Sequence, residues 1–110
     1  MAYDEVLSTR ILDALDDRDH VTERKMFGGW ALMLAGHMAC GVMCDDLLVR
    51  VGRDRYEDAL ELPHTRPMDF TGRPMSGFVI VDAAGIAGDR ELQAWVARGE
   101  AFARSLPPKY

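Results

Sequence analysis

No apolar run in the 110 residues approaches the roughly 20 needed to cross a bilayer, and Asp4 and Glu5 stand where a secretory leader would carry positive charge. The expected location is therefore the cytoplasm. Cysteine is scarce, with two residues, and without a secretory signal these are read as reduced thiols rather than a bridge. Internal repeats, low-complexity segments and linkers are all missing, so residues 1–110 are expected to form one domain. The sequence also lacks Gly-x-Ser-x-Gly, His-Glu-x-x-His, a phosphate-binding Gly-x-x-x-x-Gly-Lys and a dinucleotide fingerprint. Ser8, Ser76 and Ser105 have no evident base partner, and His20, His37 and His64 fall in turns far apart in sequence. The pair Asp45-Asp46 has the composition of a β-turn more than that of a general acid and base. No reaction centre emerges, and the expectation is a protein that is not an enzyme.

What is present is an ordinary globular balance, 48% apolar and 28% charged, with a net charge of −5 that is unevenly placed. Residues 1–23 hold seven acids against Arg10 and Arg18, whereas the remainder is neutral. An acidic front over a neutral body is a poor match for phosphate neutralisation, so direct nucleic-acid binding is not expected.

Along the chain, Tyr3, Leu7, Ile11, Ala14 and Leu15 recur at three and four, which predicts an amphipathic helix over 4–17. The apolar stretch 25–34 reads as one strand with a bulge or kink at Gly28-Gly29. After a turn at Ala35-Gly36-His37 come a strand from Met38 to Met43, a turn at Asp45-Asp46 and a strand over Leu47-Leu48-Val49-Arg50-Val51, an antiparallel meander. Residues 53–60 have helical spacing, which the prolines 63 and 67 stop. Met68 to Thr71 is expected to pair, across the bend Gly72-Arg73-Pro74, with the strongly β-forming Phe78 to Asp82. Asp89 is the expected N-cap of a last helix with apolar positions Leu92, Trp95, Val96, Gly99, Phe102, Ala103 and Leu106. Gly99 lies within that stripe, where the missing side chain permits close approach. The reading is an α+β domain with a single, mostly antiparallel sheet and the order α-β-β-β-α-β-β-α. So few strands leave a face or an edge for helices or a second copy to cover, so a homodimer is an expectation.

Cys40, Cys44 and His37 suggest a metal, but strand residues four apart lie about 13 Å from each other. One zinc ion, with ligands about 2.0 to 2.3 Å away, does not span that gap. Core roles are expected for both thiols, with no metal and no cofactor. Met26, Met33, Met38, Met43, Met68 and Met75 are read as core, the alternative being an adaptable binding surface. Arg50, Arg53, Arg55, Arg66 and Arg73 form the one polar constellation of interest. Either they converge on an anion or a partner's carboxylate through the guanidinium fork, or they pair with Asp54, Glu57, Asp58 and Asp69 nearby.

Met26-Phe27-Gly28-Gly29, Gly41-Val42 with Asp45 and Leu47, Leu48-Val49-Arg50-Val51-Gly52, Arg66-Pro67-Met68-Asp69-Phe70, Gly72-Arg73-Pro74-Met75, Gly77-Phe78, and Trp95-Val96 with Phe102 through Lys109 follow one another in an order and spacing that resembles the TfoX/Sxy N-terminal-domain family. The resemblance covers nearly the whole chain. It implies an α+β fold and a link to regulation of natural competence genes, where the best-known members act as coactivators beside a cyclic-AMP-responsive transcription factor. Those members carry a further C-terminal domain that the 110 residues do not include, so a stand-alone domain is expected and competence activation is not simply transferred. The shared residues shape a backbone, and the resemblance supplies no catalytic group. The leading expectation is a non-enzymatic regulatory or protein-interaction domain, with a transcription factor or a second copy as partner. The alternative is a small-ligand or anion sensor built on the arginines.

Overall fold

Asp4 opens the first helix, its Oδ1 accepting from the Val6 and Leu7 amides at 2.9 and 3.2 Å. Helix α1 spans Glu5–Ala14, ending sooner than the apolar spacing suggested because Leu15 is already extended. Its stripe of Leu7, Ile11 and Leu15 is buried, as the spacing required. The computed structural model describes residues 3–15, 18–26, 28–68 and 75–107. Among these, the strands β1 (Val21–Met26), β2 (Gly29–Leu34), β3 (His37–Met43), β4 (Asp46–Arg50), β5 (Thr65–Pro67) and β6 (Phe78–Val81) form one sheet. Every neighbouring pair is antiparallel, in the order β1-β2-β3-β4-β6-β5. Helices α2 (Tyr56–Leu60) and α3 (Asp89–Ser105) complete the α+β fold, with 3-10 turns at Arg53–Arg55 and Ala83–Ile86. No helix among the described residues is long and apolar enough to cross a membrane.

The structure departs from the sequence reading at the first strand. The stretch 25–34, which reads in sequence as one kinked strand, is part of a hairpin, with Gly28 at φ 74° in its turn, and the meander therefore has four strands. The extra strand, β1, is an edge that exposes Thr22, Glu23, Arg24 and Lys25, so no apolar alternation announces it. Charged side chains on such an edge also discourage pairing with another chain. The register irregularity lies instead between Leu32 and Met33. The turn before β4 is made by Cys44, at φ 55°, and Asp45, while Asp46 already belongs to the strand. The strand expected at Met68 to Thr71 forms three residues earlier as β5, in register Thr65↔Val81, Arg66↔Ile80, Pro67↔Val79. Pro67 is tolerated because β5 is the other edge. The bend Gly72-Arg73-Pro74 and the residues 69–71 lie outside the described residues. Gly88, not Asp89, caps α3; Asp89 is its first residue and places its charge in the first turn.

On one face of the sheet, Trp30, Leu32, Leu34, Cys40, Val42, Leu47, Val49, Val79 and Val81 meet the buried stripes of α1 and α3. Each fully buried Leu or Ile there contributes roughly 1.5–3 kcal/mol over an exposed one. The other face buries Ala31, Met33 and Leu48, and the Met38 side chain lies across Gly41. Since both faces are covered, β2 is buried at all six positions, which is why it reads as an unbroken apolar run. Arg10 joins α1 to the start of α3, donating from Nη2 to the Ile86 carbonyl at 2.9 Å and to the Asp89 carboxylate at 3.2 Å. At the far end of α3, the Arg104 guanidinium donates to the Asp19 carbonyl and pairs with the buried Glu100.

Candidate functional site

The end of β4 and the start of β6 are laced by one carbonyl: the amides of Val51 and Gly52 both donate to the Gly77 oxygen, at 2.8 and 3.1 Å. Gly52 adopts φ 87°, and a Cβ there would lie 2.5 Å from the Phe102 ring. A glycine is thus required twice over, by its backbone conformation and by the ring seated against it. This junction, the 3-10 turn and the C-terminal part of α3 enclose an open cleft of about 760 Å³. Arg50, Arg53 and Arg55 line it, with Asp54, Met75, Ser76, Phe78, Phe102 and Ser105.

Arg50 and Phe78 are direct cross-strand partners on β4 and β6. The Arg50 guanidinium carbon lies 5.5 Å from the centre of the Phe78 ring and 5.2 Å from that of Phe102, within cation–π range of both. Among the described residues, none of the side chains of Arg50, Arg53 and Arg55 has a carboxylate partner or a hydrogen-bond acceptor. The pairings with Asp54, Glu57 and Asp58 open to them in sequence are not formed; Asp69 lies outside the described residues. Ser105 donates its hydroxyl to the Phe102 carbonyl at 2.6 Å. Beyond Phe102 the cleft continues into a second groove of about 510 Å³, lined by Val51, Arg55, Ala94, Ala97, Arg98, Ala101 and Phe102. Arg98 stands 5.2 Å above the Trp95 ring.

Three of the five arginines singled out in the sequence therefore share one site. Arg66 does not: it lies on the edge strand β5 and pairs with Asp46 at 2.8 Å and with Asp82, clamping β5 to the sheet. Its hydrogen bond to Asp46 is the largest cause and raises its pKa above the ordinary value; burial, next in size, opposes it, and the charges of Asp46 and Asp82 add to the rise. Arg73 lies outside the described residues. Phe102 and the alanines of α3 are not among the sequence candidates, and Met75 enters there only as one of six methionines whose alternative to a core role is a binding surface. The apolar spacing of α3 placed Phe102 in the core stripe, and only the β4–β6 pairing shows that it closes a cleft.

The thiols part company. Cys40 is buried beneath α3, and burial first, then the nearby Glu100 charge, pushes it up to about 12. Cys44, expected in the core, is exposed in the turn that ends β3. The His37 ring is engaged elsewhere, its Nε2 at 2.6 Å from the Pro107 carbonyl oxygen. No group of three His, Cys, Asp or Glu among the described residues could hold a metal ion. Of the methionines, Met33 and Met68 are buried, Met38 and Met43 partly so, and Met75 is 40% exposed at the cleft; the Met26 side chain lies outside the described set.

Neither the curated proteins nor the solved structures yield a match. A family model described as the TfoX N-terminal domain matches residues 13–103, which takes in the whole sheet, the second groove, every lining residue of the first cleft but Ser105, and all but the last two residues of α3. The chain belongs to the TfoX N-terminal domain family.

Proposed function

We propose that this domain is a non-enzymatic regulatory module that works by binding another protein, a transcription regulator or a second copy of itself. The family's association with regulation supports this reading, and the observation that carries it is the state of Arg50. A guanidinium held beside two aromatic rings, with no carboxylate of its own among the described residues, is organised to receive one from outside. Arg53 and Arg55 add two further cations to the lining of the same cleft. Among the described residues of the cleft, neither Ser76 nor Ser105 is hydrogen-bonded to a base. The same guanidinium favours a second reading, in which a small anion is the ligand.

Retention from the native cytoplasm separates the two. The wild-type domain should hold one reproducible protein species, which an Arg50→Ala/Arg53→Ala/Arg55→Ala variant of unchanged circular dichroism loses. No specific retention, together with a thermal shift on adding phosphate or nucleotides, would transfer the assignment to the anion reading.

A further inference from the structure

The two grooves share Val51, Arg55 and Phe102, and so form one continuous surface whose halves differ in chemistry. We propose that this surface receives a single acidic segment of a partner protein. A carboxylate forks onto Arg50, and a neighbouring apolar side chain seats against Phe102 and the alanines of α3. The proposal rests on the protein-binding reading above and names what that partner presents.

Charge selects the ligand's sign. The chain carries −5 overall, yet Arg50, Arg53, Arg55 and Arg98 line the surface against Asp54 alone. Length selects its size. From Ala94 to Ser105 the surface follows twelve residues of α3, about 16 Å from first to last at the helical rise, which matches about five residues of extended chain rather than one small ion. The rings of Phe78 and Phe102 engage the guanidinium while accepting none of its N–H bonds, so the fork stays available and loses little freedom on binding. The exposed thioether of Met75 supplies an apolar wall that adapts to the incoming side chain. A nucleic acid is disfavoured on the same grounds. Four arginines on a chain of net charge −5 neutralise few phosphates.

The test uses the full chain and two blocked 12-residue peptides of glutamate, leucine and serine, identical except that one carries glutamine for glutamate. Fluorescence anisotropy should show saturable binding of the glutamate peptide and binding at least about tenfold weaker for the glutamine peptide. Arg50→Lys, which keeps the charge and loses the fork, should weaken the glutamate peptide about tenfold. Ala97→Glu, on an exposed helical position where folding is not at risk, should do the same by setting a carboxylate in the apolar half. Equal binding of the two peptides, indifference to both substitutions, displacement by free glutamate or phosphate at the peptide's own concentration, or tighter binding of a 12-base-pair duplex would each overturn the proposal. Should the cytoplasmic partner be retained by wild type and Arg50→Lys alike, the protein-binding reading stands and this surface is the wrong one. Loss of all retention beside intact peptide binding removes the reading and leaves the surface.

Discussion

Gly99→Ala should destabilise the domain by about 1–3 kcal/mol, lowering its melting temperature by roughly 5–15 °C. The sign is the informative part. In an exposed helix the same exchange adds up to about 1 kcal/mol of stability, because alanine has the better helix propensity. At Gly99, however, an added Cβ would lie 2.5 Å from the Ala39 carbonyl oxygen and 2.8 Å from the Cys40 sulfur. Backbone cannot give way as the end of a flexible side chain does, so α3 must lift from β3. The loss from the core contacts of Leu92, Val96 and Ala103 outweighs the propensity gain. Calorimetry of Gly99→Ala decides it: an unchanged or higher melting temperature would mean that α3 is not seated on β3 in this way.

Alkali should expose the second large effect. With the buried Cys40 thiol pushed up to about 12, the folded state stays protonated at a pH where an unfolded thiol, near 9, has ionised. The unfolded chain then holds fewer protons, so the stability owed to this group is complete below pH 9 and is lost as pH rises towards 12. The slope is on the order of 1 kcal/mol per pH unit. Cys40→Ala removes the group, so the difference in unfolding free energy between wild type and variant should shrink steadily across that window. A difference independent of pH would show that the thiol is not buried. In parallel, a maleimide should label the exposed Cys44 in the folded protein and reach Cys40 only after denaturation.

Helices were legible in this sequence because their burial is one-sided. The three- and four-residue spacing of Leu7, Ile11 and Leu15, and of Leu92, Trp95, Val96 and Ala103, marks the faces that are buried. The role of Gly99 was legible for the same reason, as a gap in an otherwise bulky stripe. The interior strands announced themselves through apolar runs, and β6 through Phe78-Val79-Ile80-Val81. The two edges did not. β1 is polar on both faces and β5 is three residues ending in a proline, so neither carries the alternation that identifies a strand. Of the candidate site, the arginines of β4 and the following turn could be named from sequence. Their arrangement could not, since it depends on the pairing of Arg50 with Phe78, across 28 positions, and on Phe102 arriving from the last helix. Arg66 shows the converse. It is close to the others in sequence and similar in type, but the β5–β6 register delivers it to Asp46 and Asp82 instead.

Amide chemical-shift mapping of the labelled domain with the glutamate peptide asks most directly whether the cleft is the docking surface. Perturbations should concentrate at residues 50–55, at Met75, Gly77 and Phe78, and along α3 between Ala94 and Ser105, and should fade when glutamine replaces glutamate. Perturbations gathered instead on α1 or along the β1 edge, with the arginine cleft unmoved, would contradict the account.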